Sequence, residues 1–126
     1  MSEVRVRGVR GAVTVESDEA GEILAATKRL LAEMIERNGI ETEEIVSVLF
    51  SLTGDLRAAF PALGARQMGW SSVPMLHFTE IPVPGALPRC IRVLMHVNTT
   101  LSQADVEHAY LDGAAALRPD LSAAKE

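Results

Sequence analysis

Residues 88–100, PRCIRVLMHVNTT, decide how this chain must be built. Polar and apolar side chains alternate through it with the period of a β-strand. Ile91, Val93, Met95 and Val97 fall on one face, which is plainly apolar. Cys90, Arg92, Leu94 and His96 fall on the other, so an arginine stands between a cysteine and a leucine. A guanidinium stays charged and is costly to desolvate without a partner. The strand therefore supplies one wall of a core on one side and asks for an anion on the other.

Upstream, VRVRGVRGAVTV (residues 4–15) alternates well enough for a second strand, with Gly8 and Gly11 as bend or bulge positions. In the segment that follows, Ile23, Leu24, Thr27, Leu30, Leu31, Met34 and Ile35 form one helical stripe. Acidic residues crowd its start, Arg37 lies near its end, and Asn38-Gly39 is a natural stop. A short turn capped by Thr42 then leads into a strand over Ile45–Thr53, which Gly54-Asp55 breaks. One or two helical turns are expected over Pro61–Met68 and a strand over Val73–Ile81; PVPGALP is a turn-rich connection. Beyond residue 101, Ser102 and Asp105 read as a cap, and Val106, Ala109, Tyr110, Gly113, Ala114 and Leu117 as the stripe of a closing helix that ends before Pro119. The order β-α-β-short helix-β-β-α predicts an α+β domain, a mixed β-sheet with helices packed on one face. The other face then needs cover, which an oligomer could supply.

The whole chain, 126 residues, 48% hydrophobic and 23% charged, fits one packed domain. No apolar run approaches the ~18 residues of a membrane helix. MSEVRVRG lacks the hydrophobic core of a signal peptide, and the lone Cys90 cannot form an internal disulfide, so a cytoplasmic location is expected. The net charge of −5 argues against nucleic acid as a partner.

Several chemistries lack their motifs. There is no phosphate-binding glycine loop, no dinucleotide fingerprint and no nucleophile elbow. His77, His96 and His108 show no metal-ligand spacing, the lone cysteine completes no zinc set, and ordinary polar roles suit the histidines better. Arginines remain, 10 among 12 basic residues. Arg5, Arg7, Arg57 and Arg89 read as solvated rim residues. Arg10, between Val9 and Gly11, and Arg92 have surroundings where a ligand could approach; pattern alone leaves a functional role and an ordinary ion pair equally open. Glu80 at a strand end is either an ordinary carboxylate or an acceptor facing the same cavity. Tyr110 is either a core aromatic or part of that cavity.

Four segments taken together, VRGVRGAVTVE, DLRAAFPALGAR, CIRVLMHVNT and HAYLDGAAALRPDL, resemble the small trimeric α/β chorismate mutases, distinct from the all-helical class. The likeness covers roughly residues 7 to 121 in order and spacing. It implies a homotrimer arranged as a pseudo α/β barrel, with sites in clefts between chains. It also implies a cofactor-free Claisen rearrangement of chorismate, a dianion, to prephenate, in phenylalanine and tyrosine biosynthesis. Carried over by position, Arg10 binds a substrate carboxylate, Arg92 stands beside the ether oxygen, Glu80 accepts from the ring hydroxyl, and Tyr110 lies near the side-chain carboxylate. Phe60 and Arg66 belong to the pocket wall, with Met75, Leu76 and His77 among the substrate-binding positions. Leu117 and Arg118 match a C-terminal segment that closes over the site. Leu63 and His77 stand where the family often has lysine and cysteine, and one residue is missing around Trp70-Ser71. An imine deaminase of a related trimeric fold and a non-catalytic anion-binding module are the rival readings.

Overall fold

The computed structural model describes residues 3–117. Five strands make one mixed sheet: β1 (Arg5–Thr14), β2 (Ile45–Leu52), β3 (Met75–Thr79), β4 (Cys90–Thr99) and β5 (Ala109–Leu111). Their order across the sheet is β3-β2-β4-β1-β5. The strand foreseen over 88–100 is the central one. It runs antiparallel to β1 and to β2, while β3 lies parallel to β2 and β5 parallel to β1.

Two helices, α1 (Ala20–Asn38) and α2 (Pro61–Gln67), cover one face. The apolar residues of β4 meet Val9 and Val13 of β1, Val48 and Phe50 of β2, and Ile23, Leu30, Leu31 and Met34 of α1 in one buried core. Burial of these side chains, worth ~1.5–3 kcal/mol each, is what binds helix to sheet. Gly11 makes that approach close: a Cβ there would stand 2.5 Å from Met34 Sδ. α1 ends as its sequence requires, with Gly39 in the left-handed conformation at φ 60. α2 starts with Pro61 in its first turn, where the missing N–H costs nothing.

Two expectations are corrected. The turn before β2, a short 3-10 segment at Thr42–Glu44, is capped by Glu41 rather than Thr42; Glu41 and Glu44 satisfy one another's backbone N–H groups. More importantly, residues 102–117 form no α-helix. Ala109–Leu111 instead adds a parallel strand to the open edge of β1, pairing Gly11 with Ala109, Ala12 with Tyr110 and Val13 with Leu111. Asp112 then turns into the left-handed region at φ 55, and a 3-10 turn, η2 (Asp112–Ala116), follows. Backbone pairing along an unfilled sheet edge outweighs a weak helical stripe interrupted by Asp112 and Gly113.

Candidate active site

The pleat of the sheet sends alternate residues to the face that the helices leave uncovered. Strand register aligns these residues in rows. Ser51 of β2 is opposite Phe78 on one side and Arg92 of β4 on the other. Arg92 is opposite Ala12 of β1, and Ala12 is opposite Tyr110 of β5. One row therefore reads Phe78, Ser51, Arg92, Ala12, Tyr110 across all five strands, with the arginine at its centre. The neighbouring row carries Leu76, Leu49, Leu94 and Arg10.

A cleft of about 610 Å³ lies over these rows, and Arg10, Ser51, Phe78, Arg92, Tyr110 and Leu117 are among the residues lining it. A small apolar cluster of Ala12, Cys90 and Ala114, with Tyr110 and Leu117 packed against it, closes one end. This cluster pushes the Cys90 thiol above its ordinary value by desolvation, an effect the nearby Arg92 partly offsets. The charged thiolate is disfavoured there, so Cys90 is an inert filler rather than a nucleophile.

Arg92 and Glu80 form the polar centre. Arg92 Nε lies 3.6 Å from Glu80 Oε2, and the Ser51 hydroxyl donates to the same carboxylate oxygen. Glu80 follows the last residue of β3, and its N–H donates to Leu52 O at 2.8 Å, which fixes the backbone there. Arg92 retains 45% of its side-chain exposure in the single chain. Burial, expected from its apolar neighbours, is therefore not supplied within one protomer. The pleat separates it from the core that holds Ile91 and Val93.

The sequence-predicted site residues divide into two groups. Arg10, Arg92, Tyr110 and Leu117 line the cleft, Glu80 is paired to Arg92, and Leu76 is exposed on the same face. Met75 and His77 project to the opposite face, towards the helices, because they alternate with Leu76 and Phe78. Met75 packs against the main core, and the His77 ring stacks on Phe50 at 5.3 Å. The His77 Nε2 accepts from the Ala62 N–H at 3.1 Å. Burial first, and the Arg66 charge second, hold the His77 pKa below 6.5. Phe60 contacts His77 at 5.2 Å and lines a separate cleft with it, and Arg66 sits exposed on α2. Arg118 lies outside the described residues. Ser51 escaped the sequence reading: nothing in linear spacing reveals that β2 and β4 put it beside Arg92.

The arginines read as rim residues have structural partners. Arg7 Nε donates to Leu101 O, Arg57 Nε to Gly54 O and Arg89 Nε to Val15 O, while Arg5 pairs with Glu3. A second cleft of about 700 Å³ runs past Arg29, Arg89 and Asp112, but Arg29 is already spent on Asp112 at 2.5 Å. Among the described residues no group of three or more His, Cys, Asp or Glu is arranged to hold a metal ion, and no helix is long and apolar enough to cross a membrane.

Comparison with known proteins converges on one family. The model for chorismate mutase type I matches residues 6–121. A chorismate mutase AroH of Thermus thermophilus is 53% identical over 121 residues, covering 95% of this chain and 99% of the relative. That of Bacillus subtilis is 47% identical over 121 residues, covering 95% of each. A solved chorismate mutase structure from Clostridium thermocellum superposes with a TM-score of 0.85 at 51% identity, covering 86% of this chain and 97% of that one.

Proposed function

The chain belongs to the type I chorismate mutase family, and from that premise we propose how its cleft performs the rearrangement. The activity itself follows from membership: the protein is an isomerase that converts chorismate to prephenate, a step of aromatic amino acid biosynthesis. The reaction is unimolecular. One C–O bond breaks as one C–C bond forms, with no nucleophile and no proton transfer, which suits a site whose one cysteine is buried and inert. What the protein must supply is a compact substrate conformer and a charge that meets the developing transition state.

The observation that carries the mechanism is the row with Arg92 at its centre and Arg10 in the next row, both lining one cleft. Arg10 grips a carboxylate, and Tyr110 assists near the other. Grip that is equal in ground and transition states lowers KM without raising kcat. Arg92 acts differently, because the ether oxygen it faces becomes more negative as its bond to carbon lengthens. Glu80, paired to Arg92 and held by Ser51, receives the ring hydroxyl. A millionfold acceleration needs ~8 kcal/mol, and a fixed donor of this kind supplies ~3–4 kcal/mol in a water-poor site. A carboxylate paired with the central arginine also argues against a simple anion sensor, which would be weakened by it.

Three copies form the working assembly, and the uncovered face of one chain meets the Phe60, Arg66, His77 region of its neighbour. Two observations support this. The Arg92 side chain keeps 45% of its exposure in one chain, and His77, with Phe60 and Arg66 at α2, lies on the side of the sheet that the helices cover. The enzyme works in the cytoplasm.

Following the loss of chorismate ultraviolet absorbance tests the mechanism. Arg92→Ala is expected to lower kcat by ~100-fold or more, with Arg92→Lys recovering only part, since a point charge on a flexible stem loses the planar fork. A kcat within about threefold of the parent, worth only ~0.65 kcal/mol, would refute the role given to Arg92.

A further inference from the structure

We propose that His108 is a positioning residue for Arg10, held in place by the carboxyl end of α1. The proposal rests on the reading of Arg10 as a carboxylate ligand. It begins at the sheet edge. β5 pairs with β1 only from Gly11 onward, so Arg10 stands one residue before that ladder starts. Its N–H is nevertheless satisfied: His108 Nδ1 accepts it at 2.9 Å. The imidazole thus adds one rung where the main chain of β5 has not yet arrived. A nitrogen that accepts carries no proton, so this tie needs Nδ1 unprotonated.

The segment that carries His108 is itself clamped. The Asn38 side chain donates to Glu107 O at 2.8 Å and accepts from Glu107 N–H at 2.7 Å, as a strand partner would. The same amide donates to Met34 O at 2.8 Å within α1, and Asn38 is only 9% exposed. Arg37 Nη1 donates to His108 O at 3.1 Å, while Arg37 Nε is braced by Glu33 at 2.8 Å. A line of contacts therefore runs from the last turn of α1, through residues 107–108, to the backbone of the arginine that lines the cleft.

β4 holds Arg10 on one side through its pairing with Leu94, but on the other side the β5 ladder begins only at Gly11, a residue that adds little backbone stiffness of its own, and His108 supplies the missing tie. A displacement near 1 Å at a substrate-gripping group can cost as much as ~100-fold. A histidine with a merely architectural role would loosen the fold and depress catalysis whether or not residue 10 were an arginine. A positioning histidine acts only through Arg10, and this difference can be measured.

The experiment is a double-mutant cycle on the full chain, with chorismate as probe and thermal melting run alongside. His108→Ala is expected to raise KM by about 3- to 10-fold with a smaller change in kcat. His108→Asn, whose Oδ1 occupies the place of Nδ1, should restore KM to within about twofold. His108→Gln keeps polarity but shifts its acceptor by one methylene; it should behave like His108→Ala and serves if the alanine variant does not fold. In the Arg10→Ala background the His108 substitution should change KM by less than about 1.5-fold. Equal losses in both backgrounds, or no loss beside an intact Arg10, overturn the positioning role while Arg10 keeps its own. An Arg10→Ala variant with unchanged KM overturns the reading of Arg10 and the positioning role with it.

Discussion

Arg92 takes its importance from the pleat: one residue further along the strand, the same side chain would point into the core. That much was legible in the sequence, because the alternation of residues 90–97 already divides the two faces. Ser51 was not, since its place beside Arg92 and Glu80 depends on register between two strands that are far apart in the chain. Ser51→Ala should lower kcat/KM by a few-fold, the worth of ~1 kcal/mol of lost orientation, and leave the melting temperature nearly unchanged. His77 offers a test of the opposite face. Its folded pKa is depressed below 6.5 by burial, so between the two values the unfolded chain binds more protons than the folded one. The neutral ring therefore contributes stability above 6.5 that is lost as pH falls through the folded value. Melting curves from about pH 8 to about pH 5 should show the parent losing more stability than His77→Gln.

At the level of elements, long and strongly patterned segments declared themselves. α1 could be drawn from its stripe and from Asn38-Gly39, β1 and β4 from alternation, and β2 from its β-branched and aromatic residues ahead of Gly54-Asp55. The segment 102–117 could not. Val106, Ala109 and Ala114 are buried as foreseen, but whether they ride on a helix or a strand is decided by an edge of β1 that lies about a hundred residues away in sequence. Gly113 belongs to the same decision, since a Cβ there would stand 2.8 Å from Thr14 Oγ1. The junction between α1 and β1 is tight in the same way at Gly11. Gly11→Ala must displace Met34 and Leu30, and should cost ~1–3 kcal/mol in a denaturant titration. Because Gly11 is adjacent to Arg10, the surviving folded enzyme should also show a raised KM.

For the whole molecule, the division of site residues between two faces of one sheet predicts how chains cooperate. Arg92→Ala and Arg66→Ala chains, each impaired alone, should give mixed assemblies whose kcat/KM exceeds the mean of the two parents. Some clefts would then draw an intact Arg92 from one chain and an intact Arg66 from its neighbour. Activity equal to the mean would mean that every cleft is built by a single chain. Cys90 provides a different handle. It is the one thiol of the chain, fully buried beneath Ala114 and beside Leu117. A maleimide cannot reach it until the cover formed by Leu87, Ala114 and Leu117 opens, so alkylation becomes a clock for how often that cover opens, and a molecule seated in the cleft should make the clock run slow.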